Sequence, residues 1–338
     1  MTTWRFEGSA QKIFAGLLNL VKLFERTKWV LHFFVSTCST YERPAMNNPC
    51  FIRLSIATLV MASLTACSTM VPDGAERAEK AVAVTASNKL LKFNAGRPGR
   101  ILATLNITGL QAGETLLGID YRVAKDQLYA LGSSGRLYTL NEDTAVASVV
   151  GVPFVVKLEG TQFGFDFNPT VDRIRVVSNT GQNLRLHPDT GAVVDSNPAL
   201  DGVQTDGKLA FAAGDVNFGK APATVGAAYS YNKADTKITT NFALDAATGT
   251  LVTQGSREGT APAVSPNTGQ LFTVGRLGVA FNNASFDIQA LSDVAFAALN
   301  SDGTSASRWV MIDLKTGAAK MLGTVGGGER VVGVAMEP

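Results

Sequence analysis

The chain has 338 residues, 30 of them Lys or Arg and 28 Asp or Glu, for a formal net charge of +2. No basic block runs through it, which excludes the electrostatic footprint of a nucleic-acid-binding protein. Its three cysteines, Cys38, Cys50 and Cys67, all precede residue 68, so the remainder holds neither a disulfide nor a thiolate metal site.

Residues 50–67 read CFIRLSIATLVMASLTAC. Arg53 precedes an uncharged, mostly apolar run over 54–66. That run is shorter than the roughly 20 residues that span a bilayer and has the size of the apolar region of a secretory signal. It ends in Leu64-Thr65-Ala66-Cys67, which resembles the lipobox of bacterial lipoproteins. The order of these features predicts a lipoprotein signal peptide over 46–66, with Met46 as initiator and 1–45 as a non-native upstream extension. Cys67 is then the lipidated residue and the membrane contact. Ser68 stands where the lipoprotein pattern keeps aspartate for inner-membrane retention, so the expected location is the outer membrane, facing periplasm or exterior. Residues 1–66 hold seven basic and three acidic side chains, which leaves 23 and 25 in the processed chain, a formal net of −2. Residues 67–81 read as the lipidated cysteine and a flexible tether, with one helical turn over 75–80.

From residue 82 to 338 the pattern is all-β: short runs of Val, Leu, Phe and Tyr alternate with Gly, Asn, Asp and Thr turns. Residues 118–146, GIDYRVAKDQLYALGSSGRLYTLNEDTAV, fall without a gap on 164–192, GFDFNPTVDRIRVVSNTGQNLRLHPDTGA, with seven of 29 positions identical. The identities, among them Gly135/Gly181 and Asp126/Asp172, gather at turns. The first strand of the unit recurs at Gly226-Ala-Ala-Tyr, Ser285-Phe-Asp-Ile and Gly333-Val-Ala-Met, in steps of 46, 62, 59 and 48 residues. Within the first full unit, strands are predicted near 117–122, 127–131, 136–140 and 145–150. Roughly 40–50 residues for four strands is the spacing of a propeller blade. The last first-strand, near 331–336, lacks successors, and the chain begins with three strands, near 81–86, 89–93 and 100–107, that lack a first one. Pairing the two ends closes a five-bladed β-propeller and removes its exposed edges. A six-bladed ring, splitting 225–290, is the alternative.

GFDFNPTVDRIRVVSNTGQNLRLHPDTGAV, with GIDYRVAKDQLYALGSSGRLYTL before it, resembles an uncharacterised bacterial family, domain of unknown function 4394, found in secreted proteins and lipoproteins. The likeness covers about 88–336 and implies an exported propeller with no established activity. Around Ser256–Asn267 this sequence is longer than the family pattern.

Candidate chemistry is sparse. A Ser-His-Asp triad would need His187, which sits in the turn Leu186-His187-Pro188-Asp189-Thr190-Gly191 where the preceding unit has Asn141, so it reads as a turn residue. One histidine and no thiolates make zinc, copper and iron sites unfavourable. Asp120, Asp166 and Asp287 occupy one equivalent position on three inner strands. They read either as acceptors for backbone amides of a neighbouring loop or as an anionic ring holding an amine or a calcium ion. No other cofactor is expected. Arg173, Arg175 and Arg185 have Gln127, Tyr129 and Thr139 at their equivalents, so the repeat does not demand them. With Asn179 and Asn183 they form a candidate anion or sugar site, the alternative being salt bridges to Asp172, Asp166 or Asp195. Tyr121, Tyr129, Tyr138, Tyr229 and Tyr231 are expected to pack mostly between blades. The reading is a monomeric, non-enzymatic binding or scaffold module of the cell envelope, with a glycan, peptidoglycan or protein ligand. The alternative is a hydrolase or lyase using the channel carboxylates, assisted by calcium.

Overall fold

The computed structural model describes residues 74–301 and 303–338. The predicted signal peptide, Cys67 and most of the tether lie outside the described residues. The described chain is five β-sheets. The first blade contains β4 (Leu116–Arg122), β5 (Gln127–Gly132), β6 (Arg136–Leu140) and β7 (Ala147–Val150). Its strands are antiparallel and ordered as in the chain. The second contains β8 (Phe163–Asn168), β9 (Arg173–Ser178) and β10 (Asn183–Leu186). The third is formed by β12 (Thr224–Tyr229), β13 (Asn241–Asp245), β14 (Thr250–Gln254) and β15 (Gln270–Arg276), with the two-residue β11 (Ala210–Phe211) added at its outer edge. The fourth is β16 (Asn283–Ile288), β17 (Ala295–Asn300), β18 (Arg308–Ile312) and β19 (Ala319–Thr324). The fifth joins the two ends of the chain: β20 (Val331–Met336) pairs antiparallel with β1 (Lys80–Thr85), followed by β2 (Lys89–Asn94) and β3 (Ile101–Asn106).

The five innermost strands, β4, β8, β12, β16 and β20, lie side by side in that order, and β20 returns to β4. The ring is therefore a closed five-bladed propeller, as the repeat predicts; within 225–290, β12 to β15 form one blade, not two, and β16 opens the next. The turn identities have a geometric cause. Asp126 and Asp172 both sit in the left-handed region, at φ 48° and 50°, and so do Gly135 and Gly181, at 74° and 87°. Asp tolerates that conformation better than most side chains, and Gly bears no steric cost there.

Apolar residues fill the spaces between blades. Trp309, fully buried, stacks on Phe296 with centroids 5.5 Å apart and meets Phe93 edge-on at 5.1 Å. Its indole Nε1 donates to the Ala95 carbonyl at 2.9 Å. One side chain thus ties the fourth blade to the fifth.

Two local expectations are corrected. Residues 75–80 contain no helical turn; the chain runs extended alongside β2, held by the Arg77 amide on Asn94 Oδ1 at 3.0 Å and by Asn94 Nδ2 on the Arg77 carbonyl at 2.8 Å. The first strand starts at Lys80, inside the stretch assigned to the tether. The second blade has three strands, not four. After β10 only a single bridge, Leu186 to Val193, continues the ladder. The following Asp195-Ser-Asn-Pro-Ala-Leu-Asp-Gly run is rich in turn formers, and Pro198 has no amide to donate. The chain then crosses to the third blade, where β11 pairs parallel with β15.

The inner strands approach so closely that four of them carry glycine at one layer. A Cβ on Gly164 would lie 2.5 Å from the Ala227 amide nitrogen, and one on Gly333 2.8 Å from that of Ile119. Gly in a strand interior is otherwise unfavourable, and here it answers a close backbone approach. Gly164→Ala is expected to lower stability by about 1–3 kcal/mol through overpacking, read as the midpoint of urea unfolding; an unchanged midpoint would show that the ring gives way freely.

Candidate functional site

Asp120, Asp166 and Asp287 converge on the ring axis, each at most 5 % exposed. One oxygen from each lies within 4.8 Å of the others. Every one of these carboxylates accepts a backbone amide from the next inner strand. Asp120 Oδ2 accepts from Phe167 N at 2.7 Å, Asp166 Oδ1 from Tyr229 N at 2.9 Å, and Asp287 Oδ2 from Met336 N at 2.6 Å. The donor belongs to a neighbouring inner strand rather than to a loop. The two remaining inner strands carry Ala228 and Ala335 at this position. At those junctions the orphan amide turns to its own strand: Ile288 N donates to Asp287 Oδ1 at 2.5 Å, and Tyr121 N donates to Asp120. The aspartates therefore clasp three of the five junctions.

Three buried carboxylates this close cannot all ionise cheaply. Burial and the Asp287 charge hold Asp120 well above the usual carboxylate range, and burial with the charges of Asp120 and Asp287 does the same to Asp166. Burial pushes Asp287 up to about 7. The Tyr231 hydroxyl is also raised, by burial and then by the charges of all three carboxylates.

The arginines singled out by the repeat meet at a cavity between the second and third blades. Arg175 and Arg185 are register partners on β9 and β10. With Arg173, Tyr229, Val194 and Asn267 they line a space of about 390 Å³. Arg175 is fully buried. Its Nη1 donates to Asp206 Oδ2 at 2.6 Å and to Asn183 Oδ1 at 2.8 Å, its Nη2 to Asn267 Oδ1 at 2.7 Å, and its Nε to the Tyr229 hydroxyl at 3.2 Å. Arg185 forks onto both oxygens of Asp206, each at 2.8 Å. Arg173 Nη1 has only carbonyls, those of Asp172 at 2.8 Å and Val171 at 3.5 Å. Arg175 and Arg185 thus share one carboxylate, Asp206, which is not among the lining residues, while Arg173 meets only carbonyls. The cavity wall is positively charged on balance.

The partner of Arg175 and Arg185 is Asp206, not the residues expected from sequence. Asp172 pairs instead with Arg122, Asp166 holds Tyr229 N, and Asp195 caps the amides of Asn197 and Gln204. Asn183 joins the network and bridges to the third blade by accepting from Gln254 Nε2 at 2.9 Å. Asn179 does not; it lies at the far end of the β9–β10 hairpin, where its Oδ1 accepts from Thr161 N. Asp206 is positioned by Gly207, whose amide donates to Asn267 O at 2.9 Å and whose missing Cβ would stand 2.4 Å from Thr268 O. The stretch between β14 and β15 supplies Ser265, Pro266 and Asn267 to the cavity wall.

Sequence reasoning passed over Arg122, which is buried and bound by Asp172, Asp189 and the Tyr129 hydroxyl. The comparison that selected the other arginines would have found it, since its equivalent one unit on is Asn168. Arg122 and Asp172 stand at the rim of a second cavity, about 250 Å³, walled by Phe167, Tyr231, Ile238 and Val123. His187 is a turn residue as expected, its Nδ1 accepting from Asp189 N at 3.2 Å.

A carboxyl whose folded pKa is raised favours the fold when protonated. Its contribution is complete below its unfolded value and is lost as pH rises through its folded value. For Asp287 these are 3.8 and about 7. The carboxylates held low, Asp189 and Glu329 at about 2, act only in acid below that window. The melting temperature in buffer containing EDTA is therefore expected to fall from about pH 5 to about pH 8, and Asp287→Asn, which keeps an acceptor for Met336 N, to flatten the slope. A wild-type profile that is level or rises over this range would contradict a protonated ring.

Proteins of known structure include several that are similar to this domain. It is similar to a chain of a nidogen–laminin complex, with 9 % identity over 77 % of this chain and 98 % of that one, at a TM-score of 0.40. It is similar to the dihydro-heme d1 dehydrogenase NirN, with 10 % identity over 72 % and 43 %, at 0.33. It is also similar to a protein of unknown function from Bacteroides thetaiotaomicron, with 11 % identity over 71 % and 56 %, at 0.35. No curated protein matches the chain. A family model covers residues 89–335, and the chain belongs to that family, a domain of unknown function (DUF4394).

Proposed function

We propose that this propeller is a ligand-binding module of the cell envelope, tethered through lipid on Cys67, and that it takes an anionic ligand in the arginine cavity. The observation that carries this reading is the charge imbalance: Arg173, Arg175 and Arg185 line about 390 Å³, and the one carboxylate paired among them, Asp206, serves Arg175 and Arg185. Arg175 and Asp206 are a buried pair whose loss would damage the fold. Arg173 and the partly exposed Arg185 keep donors for a ligand, and guanidinium geometry suits a planar oxyanion.

The catalytic alternative asks the channel carboxylates to meet a substrate. They are buried, and each is occupied with an amide of the next strand. A calcium ion takes six to eight oxygens, and the ring offers three carboxylates whose first task is structural. Binding without chemistry is the better-supported reading.

Citrate, an anionic probe, is expected to raise the melting temperature of the wild-type protein by mass action, and Arg173→Ala with Arg185→Ala to abolish that rise. An equal rise in the double variant would remove the site from consideration. For the anchor, Cys67→Ser is expected to move the protein from the membrane fraction to the soluble one; retention in the membrane fraction would exclude lipid attachment at this residue.

A further inference from the structure

The arginine cavity has a neighbour of different chemistry. The aromatic cavity walled by Phe167 and Tyr231 lies at the same end of the ring, where the inner strands β4, β8 and β12 run out. The β8–β9 turn, residues 169–172, lines both, with Pro169 and Asp172 at the aromatic cavity and Val171 at the arginine cavity. Asn168 lines both cavities, Phe167 faces one and Arg173 the other. The charged groups of the aromatic cavity, Arg122 and Asp172, are paired with each other, and Arg122 is also held by Asp189, so that space offers no unpaired cation. Its remaining polar lining consists of Asn168, Asn232 and Thr236. The tip of the β8–β9 turn is apolar and open, Val171 being 57 % exposed. Tyr231 is fixed from outside the site, its amide donating to Asp293 Oδ1 on the fourth blade at 3.1 Å.

We infer that the two cavities are subsites of one cleft for an acidic sugar chain: a uronate carboxylate in the arginine cavity and the adjoining sugar ring against Tyr231 and Phe167. The inference rests on the reading of the arginine cavity as an anion site. A sugar ring has an apolar C–H face that packs on an aromatic wall and a hydroxyl rim that needs amide and hydroxyl partners. The aromatic cavity supplies both kinds. A carboxylate meets the planar donors of Arg173 and Arg185, which an uncharged sugar would leave desolvated without return. A ligand with the acid alone fills one cavity, and a neutral sugar alone fills the other. Joining the two residues converts the second contact into an intramolecular one.

The test is calorimetric titration of the detergent-solubilised full-length protein with digalacturonate, galacturonate, neutral galactobiose and inorganic phosphate. Digalacturonate is expected to bind at least about tenfold more tightly than any of the others. Arg173→Gln is expected to weaken both acids by about tenfold, the scale of one charged hydrogen bond. Tyr231→Leu, and Thr236→Ala as a milder change at the same wall, are expected to weaken digalacturonate and to leave galacturonate unchanged. If the dimer and monomer bind alike and neither wall variant matters, the two-subsite cleft is wrong while the anion site stands. Galactobiose or phosphate binding as tightly as digalacturonate would overturn the acidic-sugar assignment. If no anion binds the wild-type protein, the proposed function falls with it.

Discussion

Val331–Met336 hydrogen-bonds along Lys80–Thr85, with Ala81 opposite Met336 and Val84 opposite Gly333. Two segments about 250 residues apart in sequence therefore share one blade. Without that ladder β20 would bare its outer edge and lose its hold in the ring, and β4 would lose the inner strand on one side of it. Closure sets the radius of the inner ring. The radius in turn brings β8 so near β12 that Gly164 has no room for a side chain.

The same crowding produces the electrostatic conflict on the axis. An inner strand presents amides to the channel, where no further strand can pair with them, and a buried amide without an acceptor is costly. Aspartate supplies the acceptor at three junctions, and doing so brings three carboxyls into mutual repulsion. Alanine at the other two positions limits the accumulation of charge. Five aspartates would add two more buried acids, although the three already accept all five inner-strand amides. The mixed ring is a compromise between hydrogen bonding and charge.

Much of this was readable in the sequence, for a physical reason. Blades are local units whose turns demand Gly or Asp at fixed offsets, so Gly135/Gly181 and Asp126/Asp172 survive as a 46-residue echo. The unpaired first strand near 331 and the three orphans near 81–107 then imply closure by counting alone. The shared position of Asp120, Asp166 and Asp287 was equally visible, because a repeat registers what each blade needs. Asp206 was invisible. It lies in the irregular run that replaces the second blade's fourth strand and crosses to the third, and no repeat partner exists with which to compare it. Arg122 had a legible signal, its mismatch with Asn168, but its partners Asp172 and Asp189 are about 50 and 67 residues away on other turns. A side chain selected by one-residue differences can be nominated from sequence. Its partner across a seam between blades requires the fold.

The fifth blade carries a consequence for how the domain comes to exist. A chain made from its N-terminus has β1, β2 and β3 ready early, yet β1 keeps an unpaired edge until β20 arrives about 250 residues later. Contacts of such long separation are slow to form, because most of the chain must be ordered before they reward it. An open edge of buried-type residues is meanwhile a template for other strands. The order of synthesis thus leaves the final six-residue strand to convert a curved stack of blades into a ring, and a chain cut short by a few residues at its end would lose far more than those residues.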